Sequence, residues 1–301
     1  MSKDVKKEFL PFYYSDLDAV ARHLEVMAAK GWMLKSFDNT CEYEPCEPLI
    51  ARFNVVLCPA KGADSTDIKP EAREFIELCE DSGWKFIDHR GPAYAFFTTD
   101  EMIPNIVTDE AERIEAVRKA GGRSRFLYMA NIGINTAQFL LRLMNALTEK
   151  DPVSRGLSIA LTAFFGLGVI LLAVGFITLL TSEKRWVDSA NAAISAGKPI
   201  PRSDDGVLRR RRAYSVTFIA TIAAATVLLI AYAMRTMSPE GRSFLAAMLI
   251  AAIPLAFIPR LFGKKRSPAA KTLIIIGLVL GYLLLTFILL LIISAVFGVF
   301  Q

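Results

Sequence analysis

A chain of 301 residues with 53% apolar residues, 22% charged residues and a net charge of +5 has room for two domains. A mean hydropathy of +0.38 alongside so many charges is too high for an ordinary soluble protein unless the two kinds of residue are segregated. They are: residues 156–180, 213–234 and 273–300 run for 25, 22 and 28 residues without a charge, which excludes a wholly soluble protein.

A helix rising about 1.5 Å per residue crosses a hydrocarbon core of about 30 Å in roughly 20 residues, so each of these stretches predicts a membrane span. The positive charge falls mostly in loops beside them and is no argument for nucleic acid. The opening MSKDVKKEFLPFYY has no apolar core segment or cleavage site, so no cleavable signal peptide is expected. Cys41, Cys46, Cys58 and Cys79 all lie in the front third, a cytosolic location in which they are expected as reduced thiols.

Residues 1–108 predict a cytosolic α+β domain with an internal repeat. Residues 22–38 align with 74–90 at an offset of 52: Gly31-Trp32 matches Gly83-Trp84, Leu24-Glu25 matches Ile76-Glu77, and Met27 matches Cys79. Val20, Leu24, Met27 and Gly31 share one helical face, and Ala72, Ile76, Cys79 and Gly83 share another. Each glycine suits the left-handed residue that closes a helix, and each tryptophan opens an extended run. Strands are predicted over 9–14, 33–37, 40–44, 51–58, 85–88 and 93–98. The unit is strand, helix, strand, strand, used twice. Pairing of the two about a local twofold axis predicts one antiparallel sheet with both helices on one face. Residues 60–70 predict a longer polar loop.

Residues 109–123 read as a charged linker helix, acids early and bases late, broken or hinged at Gly121-Gly122. Residues 124–301 then predict an all-α membrane domain of five spans. The span at 126–147 is the poorest, diluted by Asn131, Asn135, Gln138, Arg142 and Asn145 on one helical stripe. Loops 181–212 and 260–271 carry eight and five Lys/Arg, whereas loops 148–155 and 235–242 carry two each. The positive-inside rule places the first two in the cytoplasm, which fits five spans with the N-terminus inside and the C-terminus outside a plasma membrane. A fourth span over 243–259 holds Pro254, and a fifth covers 273–300.

The run L-E-x-M-A-x-K-G-W-x-L, then a strand pair, then C-E-x-x-G-W-x-x-I and an aromatic strand resembles a bacterial family catalogued as a domain of unknown function. The matching residues are Leu24, Glu25, Met27, Ala28, Lys30, Gly31, Trp32, Leu34, Cys79, Glu80, Gly83, Trp84 and Ile87, and the resemblance covers about the first 110 residues. Members are often membrane proteins encoded beside PadR-like regulators, which implies a part in regulation or stress response. The doubled unit is also similar in topology to effector-binding domains of drug-responsive regulators.

No Walker loop, dinucleotide fingerprint or paired-carboxylate motif appears, and His23 and His89 sit in no nucleophile motif. No enzyme activity, cofactor or metal is expected; the C-x4-C spacing of Cys41 and Cys46 is a poor zinc signature. Trp32 and Trp84 are candidate walls of a ligand groove between the repeats, against the plainer reading that each caps its helix on the sheet. The polar stripe is read as interhelical glue, with a lined permeation path as the alternative. Arg209, Arg210, Arg211 and Arg212 are read as a topology signal that also meets anionic lipid. Ala247/Ala251 and Gly168/Gly175 suit close helix packing.

The expected function is a non-enzymatic sensor or regulator, with a cytosolic domain that binds a small effector or a regulatory protein partner; the alternative is a transporter or transporter accessory. The partners expected are the lipid bilayer and such an effector or protein, not nucleic acid. The front domain is expected to dock on the basic loop through Asp109, Glu110 and Glu112 facing Arg209–Arg212, weakly and in a salt-sensitive way; the plainer alternative is a flexible leash.

Overall fold

The computed structural model describes residues 5–60, 68–106, 109–198, 200, 203 and 206–236. The spans expected over 243–259 and 273–300, and the pair Ala247/Ala251, lie outside the described residues.

The front region contains β1 (Lys6–Phe9), α1 (Leu17–Ala29), β2 (Trp32–Ser36) and β3 (Thr40–Pro45), then β4 (Arg52–Leu57), α2 (Pro70–Asp81), β5 (Lys85–Arg90) and β6 (Ala93–Thr98). The strands form two three-stranded antiparallel sheets, ordered β1-β3-β2 and β4-β6-β5, rather than the single sheet expected. The reason lies at the two edges that face each other. β2 carries a register shift between Leu34 and Ser36, and β5 carries one between Phe86 and Asp88. A bulge breaks the even row of backbone groups that a ladder needs. Side chains join the edges instead: Asp88 accepts from the Phe37 N–H at 2.8 Å and the Ser36 hydroxyl at 3.1 Å.

The helices also do not share a face. Phe53, Val55, Ala93 and Ala95 belong to the core around α1, whereas Val56, Tyr94 and Phe96 belong to the core around α2. Side chains alternate along a strand, so β4 and β6 bury both faces and the second sheet lies between the two helices. The first strand ends at Phe9, short of the expected 9–14. Pro11 offers no N–H to the ladder, and Tyr14–Asp16 turn into a short 3-10 helix.

Gly31 (φ 81°) and Gly83 (φ 92°) take the left-handed conformation expected just past α1 and α2. A Cβ on Gly31 would meet the Cys46 carbonyl oxygen at 2.9 Å.

Beyond the sheets run α3 (Glu110–Thr148), α4 (Pro152–Ser195) and α5 (Val207–Thr236). Asp109 caps α3, accepting from the Ala111 N–H at 2.9 Å. The helix continues through Gly121-Gly122 without the break expected there. Glycine inside a helix costs about 1 kcal/mol against alanine; here the Glu183 carboxylate of α4 lies against Gly121, and a Cβ would stand 2.9 Å from its Oε2. Among the described helices α4 and α5 are long and apolar enough to cross a membrane. The stretch 126–147 of α3 is long enough but too polar to qualify on composition. The described residues fall into two compact units, one within 5–137 and 166–222 and the other within 138–165 and 223–236. In the second, Gly156 of α4 leaves room for the Tyr232 hydroxyl of α5.

Candidate functional site

The first unit seats the N-terminal sheets on the start of α3, the end of α4 and the start of α5. An apolar seam comes first: Ile114 and Val117 of α3 pack with Trp186, Val187 and Ala190 of α4 and with Ile200. Leu208 of α5 is buried in the core around α1. The contacts along α3 and α4 step back by about a heptad. Gly121 meets Glu183, Tyr128 meets Gly175, and Asn135 meets Gly168, the last with its Oδ1 3.3 Å from where a glycine Cβ would be. Gly168 and Gly175 therefore do admit close packing of an antiparallel helix pair.

Polar contacts then pin the seat. Arg211 donates from Nε to Asp16 at 3.1 Å and from Nη2 to the Ser182 hydroxyl at 2.8 Å, and its guanidinium lies 3.7 Å from the Tyr13 ring centre. Arg212 pairs with Glu8 of β1, whose other oxygen lies 2.8 Å from His23 Nε2 of α1. These partners hold the Glu8 carboxyl down at about 2 from an ordinary 4.5; the His23 hydrogen bond is the largest cause, and burial opposes it. Arg113 of α3 pairs with Asp18 of α1 at 2.6 Å. The Ser203 hydroxyl donates to the Ser15 carbonyl at 3.0 Å.

Docking on the basic run is thus present with other acids than expected. Asp109 is spent on its helix cap, and Glu110 accepts from the Ile200 N–H at 3.1 Å. Glu112 is exposed. The acids that meet arginines of the run, Asp16 and Glu8, sit at the start of α1 and on β1. Arg209 and Arg210 are exposed, and Arg211 and Arg212 are half-buried.

Trp32 and Trp84 do not form two walls of one groove. Trp84 is buried in the core around α2, with Nε1 donating to the Pro104 carbonyl at 3.0 Å, while Trp32 packs half-buried against the other core. A groove of about 750 Å³ does exist elsewhere, between α1, the outer strand β4 and the start of α3. Its apolar wall includes Phe53, Val55, Phe75 and Ile106, and its polar wall includes Asp18, Glu25, Arg52 and Arg113. Glu25 accepts from the Phe53 N–H at 3.1 Å and so covers part of the open edge of β4. The sequence held a signal for this site in the near-continuous apolar run of β6, which announces a sheet buried on both faces and therefore a helix across β4.

A second cavity of about 290 Å³ lies where the domain meets α3 and α4, lined among others by Tyr14, Asn39, Arg90, Ser124 and Glu183.

The polar stripe divides. Asn131 and Asn145 are exposed; Asn135, Gln138 and Arg142 are half-buried. Asn131 and Asn135 donate to the carbonyls of Leu127 and Asn131, one turn back on their own helix. Cys41, Cys58 and Cys79 are buried and Cys46 is half-buried. Burial pushes the Cys41 and Cys79 thiols up to about 11, so both stay neutral and unreactive at physiological pH. His89 is buried, stacked on Tyr94 at 4.8 Å.

Residues 16–130 match the model of a family described as Protein of unknown function (DUF2812). That stretch holds α1 to β6 and most of the docked part of α3, but neither α4 nor α5. No curated protein and no solved structure matches the chain.

Proposed function

We propose that this chain is a non-enzymatic membrane sensor or regulator. In this reading an effector taken up in the groove between α1, β4 and α3 is read out by the helices on which the domain sits. The observation that carries it is the shared wall. Arg113 and Asp18, which line the groove, are the ion pair that ties α3 to α1. An occupant that competes for either side chain changes the seat of the domain, which is a differential interaction of the kind a switch requires. The volume suits a drug-sized molecule.

The membrane arrangement we propose is five spans, N-terminus inside and C-terminus outside. Its support is the Lys/Arg bias of the loops together with a length argument. The start of α3, the end of α4 and the start of α5 all meet at the docked domain, and α3 runs antiparallel to α4. If α4 crosses, α3 crosses beside it, with Asn135, Gln138 and Arg142 of its stripe half-buried against protein. Reporter fusions after Lys150 and Gln301 should read outside, and those after Asp188 and Lys265 inside. Exposed Arg209 and Arg210 at the head of α5 are assigned to anionic lipid.

We further read the front domain as a duplicated unit. Its support is that positions 52 apart match in kind and also touch. The bulges fall at Leu34/Ser36 and Phe86/Asp88, Ser36 bonds Asp88, and Arg90 donates to the Asp38 carbonyl. Ser36 with Asp88 and Asp38 with Arg90 are the pairs, as a local twofold axis between the units would have them.

The test of the sensor reading uses the full chain. Native mass spectrometry of protein purified from its cells should show a retained small molecule, absent from Ala116→Trp, which fills the groove. Identical ligand sets in both, or solute flux through wild-type protein in proteoliposomes, would remove the reading in favour of transport.

A further inference from the structure

The smaller cavity is lined by donors whose hydrogen bonds are not all spent. Arg90 of β5 is stacked 3.6 Å over the Phe12 ring and donates through Nη1 to the Leu10 and Asp38 carbonyls. Its Nε and Nη2 have no hydrogen-bond partner among the described residues, and neither is sealed from solvent. Burial pulls this guanidinium down to about 10 from 12.5, as befits a cation taken out of water without an ion-pair partner. The Tyr14 and Ser124 hydroxyls also line the cavity and have no hydrogen-bond partner among the described residues. The positive fields of Arg90 and Arg123 both reach Tyr14. The nearby acids offer no counter-charge to the cavity. Asp38 turns its carboxylate to the Asn39 N–H. Glu183 pairs with Arg125, and its other oxygen is buried behind Gly121.

We propose that this cavity binds a phosphate-bearing anion, two of whose oxygens take the Nε–Nη2 edge of Arg90. That edge is a planar fork of the kind that matches two phosphate oxygens, and the two carbonyls on Nη1 hold it in place. The Tyr14 and Ser124 hydroxyls donate to the remaining oxygens. A carboxylate would fill the fork and leave the hydroxyls without an acceptor. A volume of about 290 Å³ holds a phosphate with the first carbons of its ester and is too small for a nucleotide. Two sources share this chemistry, the headgroup of an anionic phospholipid and a free phosphate monoester. Position favours the lipid. Leu179 on the cavity wall lies at the end of the uncharged stretch 156–180 of α4, a helix long and apolar enough to cross a membrane. Because Arg90 belongs to β5 and Ser124 to α3, the anion fastens the domain to the helices. This rests on the docked arrangement and not on the larger groove being occupied.

The experiment uses the full chain in phosphate-free buffer. Native mass spectrometry from nanodiscs of mixed phosphatidylglycerol and phosphatidylcholine tests the lipid source. Titration calorimetry with glycerol 1-phosphate, in nanodiscs of phosphatidylcholine alone, tests the free one. Retention of phosphatidylglycerol in preference to phosphatidylcholine, or binding of glycerol phosphate, supports the site and identifies its source. Arg90→Lys keeps the charge and loses the fork, and Tyr14→Phe with Ser124→Ala removes only the hydroxyls. Each should weaken the binding at least tenfold. A Ser15→Cys/Ser203→Cys disulfide, formed in the same variants, reports that the domain is still seated; where Arg90→Lys unseats it, the hydroxyl variant decides. Absence of both kinds of binding, acetate binding as tightly as glycerol phosphate, or full affinity in either seated variant overturns the proposal. Failure of the disulfide in otherwise wild-type protein overturns the docked arrangement itself.

Discussion

The two strand-helix-strand-strand units share a backbone plan and differ in what they present outward. Gly31 and Gly83 close their helices alike, the bulges fall at equivalent places, and Val26 and Leu78 point out from equivalent positions of α1 and α2. Yet Asp18, Asp16 and Glu8, which make ion pairs between the domain and the helices, all belong to the first unit. Asp16, Asp18 and Arg22 reach α5, α3 and the Ser203 carbonyl. The positions 52 further on hold Ile68, Pro70 and Glu74. Ile68 packs against its own core and Pro70 starts α2. The lesson is that the core pattern sets the fold of each unit, while a few residues at the helix start decide which unit makes these ion pairs to the long helices.

The comparison can be broken most forcefully at the tryptophans. Trp84→Ala should cost about 3–5 kcal/mol, because that ring is buried to 2% exposure and its N–H is satisfied. Trp32→Ala, at a half-buried ring under Lys6, should cost about 1–2 kcal/mol by lost area. Urea midpoints of the full chain in detergent measure both, and equal losses would contradict the asymmetry. Asp16→Asn comes next. Its carboxylate is 5% exposed and Arg211 14%, so breaking the pair strands a buried guanidinium. About 3–5 kcal/mol of seating should be lost. Asp16→Leu with Arg211→Met should recover most of it, as seen by hydrogen exchange at the start of α1.

Gly31→Ala should exceed Gly83→Ala. Both incur the left-handed penalty of roughly 1–2 kcal/mol. Gly31 adds a backbone carbonyl that cannot move, where Gly83 faces only the end of the Ile103 side chain. Acid gives a smaller effect. The Glu8 carboxyl is held at about 2 against 4.5, so its contribution is complete above pH 4.5 and fades as pH falls toward 2. Glu8→Gln should flatten that limb of a stability–pH curve. Least of all, Glu42→Gln removes the exposed pair with Lys7 at 2.6 Å and should change stability by about 0–1 kcal/mol.

Much of the front domain was legible because its signals are local. Apolar spacing set both helix faces, and the glycines marked where each helix closes. Strand 93–98 was placed to the residue. What escaped depends on long-range partners. One sheet or two turned on bulges that leave no mark in composition. The Gly121-Gly122 pair reads as a break until Glu183, 62 residues away, is seen to need the space. Docking on the basic run was legible as a charge argument, but its acids were assigned to the nearest acidic stretch. Asp109 was already spent on a cap, and Asp16 and Glu8 stand far off in sequence.

The docked seat is tested most directly by the Ser15→Cys/Ser203→Cys pair in native membranes, with Cys46 replaced by Ser, at low and at molar salt. The Ser203 hydroxyl lies 3.0 Å from the Ser15 carbonyl, so both substitutions are small and leave the ion pairs in place. Surface pairs are screened within about 3 Å at molar salt, whereas the Asp16–Arg211 pair is buried and backed by an apolar seam. The disulfide should therefore form equally well at both salts. Loss of crosslinking at molar salt, or none at either, would contradict a seated domain and return it to a leash.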